Sequence, residues 1–259
     1  MHSKQSKWLW ACALLVYGFL YLPLLIVVVY SFNDSRLNAE WVGFTTHWYG
    51  VLFSDDQMLT AARNSLLIGV VSSIFATIFG TLAGLSMYKY RLRLLPVLVL
   101  TPIAIPEILM ALSLLMFFVT LNFSMGYVSI TVAHIAFSIG FVAIVVRSRL
   151  QGMDESLVEA ARDLGASPLQ AFWRVTFPLI LPGIIAGALM AFTLSIDDFV
   201  ITYFVAGAGA TTLPLQIYSM LKIAVTPEVN AISSLLMLLT LALIMIAAKL
   251  APGALRASH

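Results

Sequence analysis

The chain has 259 residues, of which 61% are hydrophobic and 10% charged, with a formal net charge of +2. A soluble domain carries about 25% charged residues, so this composition excludes a soluble globular, collagenous or disordered protein and identifies an integral membrane protein. The lone Cys12 lies in an apolar run and excludes a disulfide framework, a CxxC redox site and a thiolate metal cluster; the net charge by itself says nothing about nucleic acid, and no nucleic-acid partner is expected.

A helix crossing roughly 30 Å of hydrocarbon needs about 20 apolar residues. Long apolar stretches nearly free of charge place such helices at about 8–31, 64–88, 97–121, 126–146, 180–204 and 231–250, six in all. The stretches are continuous rather than alternating, which suits helices and not the strands of a closed barrel. The first is too long for a signal peptide and lacks a small-x-small cleavage site, so it reads as a permanent helix. Asn122, Ser124 and Gly126 mark a tight turn between the third and fourth spans. With the N-terminus inside, the cytoplasmic segments hold Lys4, Lys7, Lys89, Arg91, Arg93, Arg147, Arg149, Arg162, Arg174, Lys249 and Arg256. That is 11 basic residues against 3 outside (Arg36, Arg63 and Lys222), which puts both termini in the cytoplasm.

Three carboxylates fall within the spans: Glu107, Asp197 and Asp198. A charge at depth costs several kcal/mol or more, so it faces a cavity and marks a transport path. No Lys or Arg within a span neutralises them, and a negative lining favours a cationic substrate. Glu107 follows Pro102 and Pro106, which break the helix, so it also suits the first turn of a restarted helix. Asp197 and Asp198 lie about 100° apart on a continuous helix. On that helix Ser195, Asp198 and Thr202 align at i, i+3 and i+7, and Asp197 stacks over Thr193. One Asp faces the path and the other is held by an interhelical partner, and the spacing fits either assignment. His134, alone in span four, reads as a hydrogen-bonded packing residue.

The largest cytoplasmic loop, Arg149 to Pro178, is the most informative segment. Leu157, Ala160, Ala161 and Leu164 share a helical face. Gly165 follows where a left-handed cap belongs. Ser167, Pro168 and Gln170 then form a capping box opening a second, short helix, whose apolar stripe is Leu169, Phe172 and Trp173. The loop either packs on itself or plugs a groove on a partner protein. No GxxxxGK[ST], HExxH, GxSxG or paired Cys/His spacing occurs, so neither nucleotide binding, hydrolysis nor a metal site is expected of this chain.

Glu159-Ala160-Ala161, three residues, Gly165, nine residues, then Val175-Thr176-Phe177-Pro178 resembles the EAA loop of bacterial ABC-importer permeases. The family pattern, EAA-x3-G-x9-I-x-L-P, differs only in that Val175 replaces Ile and Phe177 replaces Leu, both apolar. The resemblance implies a MetI-like (type I) fold. Residues 1–61 would hold the first helix and a periplasmic segment, 62–250 the ABC transmembrane domain with its EAA loop at 149–178, and 251–259 a cytoplasmic tail. It also implies that the loop, through Glu159, Ala160, Ala161, Gly165, Leu169, Phe172, Trp173 and Pro178, couples to a separate ATPase that binds the ATP and Mg.

A wider set of strings is similar to the C-type permease subunit of spermidine/putrescine importers. These are Thr45 to Tyr49, Pro106-Glu107-Ile108, Ser195 to Asp198, Leu213 to Met220 and Thr226 to Ala231. In those relatives the position of Glu107 is often Asp. This resemblance implies a non-catalytic subunit of the bacterial inner membrane that moves polyamines. Its implied partners are a second homologous permease, two ATPase subunits and a periplasmic polyamine-binding protein. The implied path is Glu107, Asp197, Asp198, Ser195, Trp48 and Tyr49, with the aromatic faces offering either cation–π contacts or interfacial anchoring. Competing expectations are another organic cation or small amino compound, and a secondary transporter or channel.

Overall fold

The computed structural model describes residues 7–35, 40–90, 93–223 and 226–250. Lys4, Arg36, Arg91 and Arg256 of the charge distribution, and the tail at 251–259, lie outside the described residues. In chain order the helices are α1 (Lys7–Tyr30), α2 (His47–Ser54), α3 (Asp56–Lys89), α4 (Leu94–Ala104), α5 (Glu107–Thr120) and α6 (Tyr127–Gln151). They continue as α7 (Ser156–Asp163), α8 (Pro168–Ala171), α9 (Phe177–Asp197), α10 (Val200–Val205), α11 (Leu213–Leu221) and α12 (Pro227–Leu250). Among the described residues there is no strand, only an isolated bridge between Asn33 and Phe44. The protein is all-α.

Five helices are long and apolar enough to cross a membrane, and α4 with α5 make a sixth span when taken as one. The spans follow the apolar stretches, with three differences. Span two begins at Asp56 rather than near Asn64, because Asp55 accepts the Gln57 and Met58 amides (2.8 and 3.2 Å) and caps α3 ahead of the hydrocarbon. Span three bends by 107° at Ile105-Pro106, so depth counted along a straight helix does not place Glu107. Span five does not run through to residue 204: α9 stops at Asp197, Asp198 is extended (φ −67°, ψ 124°), and α10 restarts at Val200. A fourth difference lies in the cytoplasmic loop. The short helix α8 passes through a π-helical turn, Phe172–Thr176, straight into α9, and is the lower end of span five rather than a separate element.

Breaks in packing at Leu59/Thr60, Leu215/Gln216 and Leu239/Thr240 divide the chain into two units. In the first, no residue of the apolar window of α1 is buried, and its end is tied to α2 through Ser31, Asn33, Trp48 and Tyr49. In the second, α6 packs chiefly on α9, α5 on α10 and α4 on α6. One core cluster joins Ile68 of α3, Ala111 and Phe118 of α5, Ile130 and Ala133 of α6 and Ile201 and Val205 of α10. The other joins Ala76, Val142, Val146, Leu150, Ile180 and Ala191. The small residues Ala76, Ala111, Ala133 and Ala191 let helix backbones approach, which is how packing is gained where lipid offers no hydrophobic drive between helices.

Candidate translocation and coupling sites

The interruption of span five is built by Asp198. With α9 ended, its carboxylate caps α10: Oδ1 accepts the Ile201 amide (3.3 Å) and Oδ2 the Thr202 amide and hydroxyl (2.8 and 2.7 Å). His134 of α6 reaches the same Oδ2 through Nε2 at 3.1 Å. Its other nitrogen, Nδ1, lies 2.6 Å from Ser195 Oγ, which in turn accepts the Ser72 hydroxyl of α3 at 3.0 Å. One arrangement satisfies the line: Ser72 donates to Ser195, Ser195 to Nδ1, and Nε2–H to Asp198. Both ionisable side chains of the pair are 2% exposed, whereas Asp197, one residue earlier, is exposed. Of the two adjacent acids, Asp198 is the one held by an interhelical partner. Thr202 meets Asp198 as its capped residue rather than along one continuous helical face.

Glu107 opens α5 after Pro106, whose backbone is extended and serves as the N-cap, so the restart after the prolines occurs as expected. Its side chain is exposed and stands against the Asp198 carboxylate. Glu107, Asp198 and Ser195 are thus brought into one neighbourhood, with Asp197 beside them along the chain. Trp48 and Tyr49 belong to the other unit. There the Trp48 Nε1–H donates to the Asn33 carbonyl (2.8 Å) and the Tyr49 hydroxyl pairs with Ser31 Oγ (2.7 Å). Tyr49 also packs on Phe32 at 5.2 Å, so both aromatics anchor α2 to the end of α1. Trp48 additionally lines an open cavity of about 360 Å³ with His47, Val51, Thr226 and Glu228.

The loop from Arg149 to Pro178 is locally determined. Asp154 accepts the Ser156 amide at 3.0 Å, and the Ser156 hydroxyl and amide together hold its carboxyl below the ordinary value. At the far end of α7, Gly165 is left-handed (φ +86°), its amide bonds Arg162 O (2.9 Å) and the Ala166 amide bonds Ala161 O (3.0 Å). This is the double bond pattern of a glycine-terminated helix. The capping box closes as the sequence predicts, Ser167 N to Gln170 Oε1 at 2.9 Å and Gln170 N to Ser167 Oγ at 3.3 Å. Leu164 (90% exposed), Leu169 (68%) and Trp173 (56%) stand in the open on this joint. Glu159, Ala160 and Pro178 are exposed as well, Ala161 is half-buried, and Phe172 turns toward its own chain. There Phe172 lines an open cavity of about 570 Å³ with Leu85, Tyr88, Glu155, Glu159 and Arg162. Tyr88 of α3 donates its hydroxyl to Glu155 beside that cavity. Neither this bond nor the work of His134 is readable from local spacing: Tyr88 and Glu155 are 67 residues apart, His134 and Asp198 64.

A bundle of membrane spans with carboxylates at an interrupted helix and an exposed, apolar, capped loop is the architecture of a membrane transport subunit. The model of the family "binding-protein-dependent transport system inner membrane component" matches residues 76–256, and the chain belongs to that family. It is 43% identical over 232 residues to the spermidine/putrescine transport system permease protein PotC of Escherichia coli strain K12, covering 88% of each chain. It is 42% identical over 243 residues to the putrescine transport system permease protein PotI of the same strain, covering 90% of this chain and 86% of that one. Among solved structures it resembles a chain of a bacterial alginate ABC transporter in complex with a pentasaccharide-bound periplasmic protein, with a TM-score of 0.72 and 19% identity. That match covers 94% of this chain and 93% of the other. A chain of the inward-facing MetNI methionine transporter gives a TM-score of 0.63 at 22% identity, covering 76% and 98%. At such identities the likeness is one of fold.

Proposed function

We propose that this chain is the permease subunit of an ATP-driven importer that carries spermidine or putrescine across the bacterial inner membrane. The observation that carries the reading is the identity above 40%, over nearly nine-tenths of the chain, with permeases named for those two amines. The uncompensated carboxylates at the break in span five support it independently, since a path lined by Glu107 and Asp197 suits a cation. The chain performs no chemistry of its own. Residues 62–250 form the translocating domain beside a second, homologous permease, and the first helix and periplasmic segment occupy 1–61. A periplasmic receptor delivers the amine, and two ATPase subunits hold ATP and Mg on the cytoplasmic side, where both termini and the tail lie.

The joint of α7 and α8 is the coupling element: Leu164, Leu169 and Trp173 enter a groove on the ATPase, and its closure moves α9. The π-helical turn joins α8 to α9 without a break, so a displacement at the loop reaches the end of α9 at Asp197 along one rod. Trp48 and Tyr49 are assigned to cation–π contact with the alkylammonium groups. The test is uptake by the assembled complex in proteoliposomes. ATP-dependent entry of both amines, insensitive to uncouplers, is expected. Entry without the ATPase, abolished by an uncoupler, would show a secondary transporter instead, and entry of only another organic cation would overturn the substrate.

A further inference from the structure

We infer that His134 is a positioning residue of the translocation path: it pins Asp198 into the fold and thereby leaves Asp197 as the free carboxylate, aimed in a fixed direction. The inference rests on the transport reading for its consequence, though not for its geometry. A carboxylate has room for about four hydrogen bonds. Asp198 receives four donors: the amides of Ile201 and Thr202, the Thr202 hydroxyl and His134 Nε2. Its side chain is 2% exposed. Three of the donors fall on Oδ2 and one on Oδ1, and with so little of the side chain exposed an ammonium group could reach it only by opening the packing around it. Asp197 makes no hydrogen bond among the described residues and is exposed.

Position follows from the neighbours. Ser195 and Ile196 before Asp197 are buried, and Asp198 after it is pinned, so the side chain of Asp197 projects from a backbone fixed on both sides. One imidazole ring holds both flanks, through Nδ1 to Ser195 and Nε2 to Asp198 and Thr202 (3.0 Å). It thereby ties α6, the end of α9 and the start of α10 at the point where span five is interrupted. The neighbouring charge is the exposed Glu107 of α5, which interacts with Asp198. In the order of roles, Glu107 and Asp197 meet the substrate, and His134 and Asp198 set where they stand.

Two measurements on the purified, assembled complex test this. The first is carbodiimide labelling of carboxylates with a glycine ester, read residue by residue in mass spectra. Asp197 is expected to label and Asp198 to resist in the wild type; His134→Ala is expected to speed labelling of Asp198 about tenfold or more, and His134→Gln, which returns a donor near Nε2, to restore most of the protection. Equal labelling of Asp197 and Asp198 in the wild type overturns the assignment whether or not any variant assembles. The second is a mutant cycle on polyamine uptake. His134→Ala alone is expected to raise the apparent KM about tenfold, and to add less than about twofold once Asp198→Asn is present, because the ring acts through that residue. In an Asp197→Asn background its effect is expected to shrink likewise, because the carboxylate that the ring positions has lost its charge. A ring that merely fills space would add its full factor in both backgrounds, which would overturn the inference. Absence of any amine uptake by the wild-type complex overturns the transport reading instead, and the labelling pattern then decides the role of His134.

Discussion

Tyr88, at the cytoplasmic end of α3 in the proposed orientation, donates its hydroxyl to Glu155, which precedes α7. The bond ties the loop to a second span besides α9, with the 570 Å³ cavity between them. If the loop transmits force as a body, this tie limits how far α7 can swing without moving the bundle. Tyr88→Phe removes one oxygen and leaves the ring. A hydrogen bond to a charged acceptor contributes about 1.5 kcal/mol or less at an exposed position, so uptake per ATP hydrolysed is expected to fall roughly threefold to tenfold with the complex intact. An unchanged ratio in proteoliposomes would show that the loop is held by α9 alone.

Gly165 carries the turn between α7 and α8. Its φ of +86° lies where an L side chain costs about 1–2 kcal/mol, and nothing lies within 4 Å of a Cβ built there. The penalty of Gly165→Leu is therefore backbone strain alone. Straightening the turn would displace Leu164 and Leu169 from their present relation and leave the six spans untouched. We expect normal membrane insertion and loss of ATPase in a pull-down. Trp173→Ala should give the same loss by a different route, since the indole packs on Phe177 (centroids 4.9 Å apart) while presenting more than half its surface outward. Retention of the ATPase by the Gly165 variant at the wild-type uptake rate would reject the coupling assignment.

Gly80 lies against Val142 where α3 crosses α6. A Cβ there would come within 2.6 Å of Val142 Cβ and 2.9 Å of Ile139 O. The second atom is backbone and cannot rotate away. Gly80→Val should force the helices apart at a cost of about 1–3 kcal/mol, seen as a lower yield of assembled complex and a lower Tm. Adding Val142→Ala should recover only part of it, because it removes Cγ1 but leaves the clashes with the Cβ at 142 and with Ile139 O.

These features differ in how far the residue order announces them. The Gly165 cap and the Ser167 capping box are local: donor, acceptor and turn residue lie within four positions, and the fold reproduces both. The restart at Glu107 was equally legible, because proline removes an amide that the helix needs. The end of α9 at Asp197 was not. Ser195 to Val205 is uninterrupted by Pro or Gly and reads as helix; what stops it is Asp198 capping a new helix with help from a histidine on another span. The signal available was buried polarity: an imidazole and a carboxylate in facing uncharged spans must be satisfied, and each is the partner that the other lacks. Continuity of α8 with α9 was hidden for the opposite reason, since Pro178 and Pro182 suggest an interruption and the π-helical turn absorbs the change without one.

In the proposed path the acids would select a cationic substrate. An alkylammonium entering a narrow path gives up water, and fixed carboxylates must replace that hydration. At an effective dielectric near 20, one charge pair at about 4 Å contributes roughly 4 kcal/mol before desolvation is subtracted. Asp197→Asn and Glu107→Gln keep the volume and delete the charge, so each should slow polyamine uptake at least about tenfold per assembled complex, even after most of that energy is offset. A Glu107 that served only as a cap would behave otherwise: Gln would weaken folding slightly and leave uptake per complex intact. Asp198→Asn should differ in kind, because an amide oxygen in the place of Oδ2 accepts from Thr202 and His134 without the charge, while its NH2 meets the Ile201 amide donor to donor. Its loss should therefore appear first in assembly and thermal stability, with uptake falling as Asp197 shifts. The measurement is uptake and amine-stimulated ATP hydrolysis in proteoliposomes, normalised to assembled complex, alongside Tm for each variant. If the Asp197 and Glu107 variants both carry polyamine at near wild-type rates, the carboxylates are structural and the path for a cation lies elsewhere in the subunit.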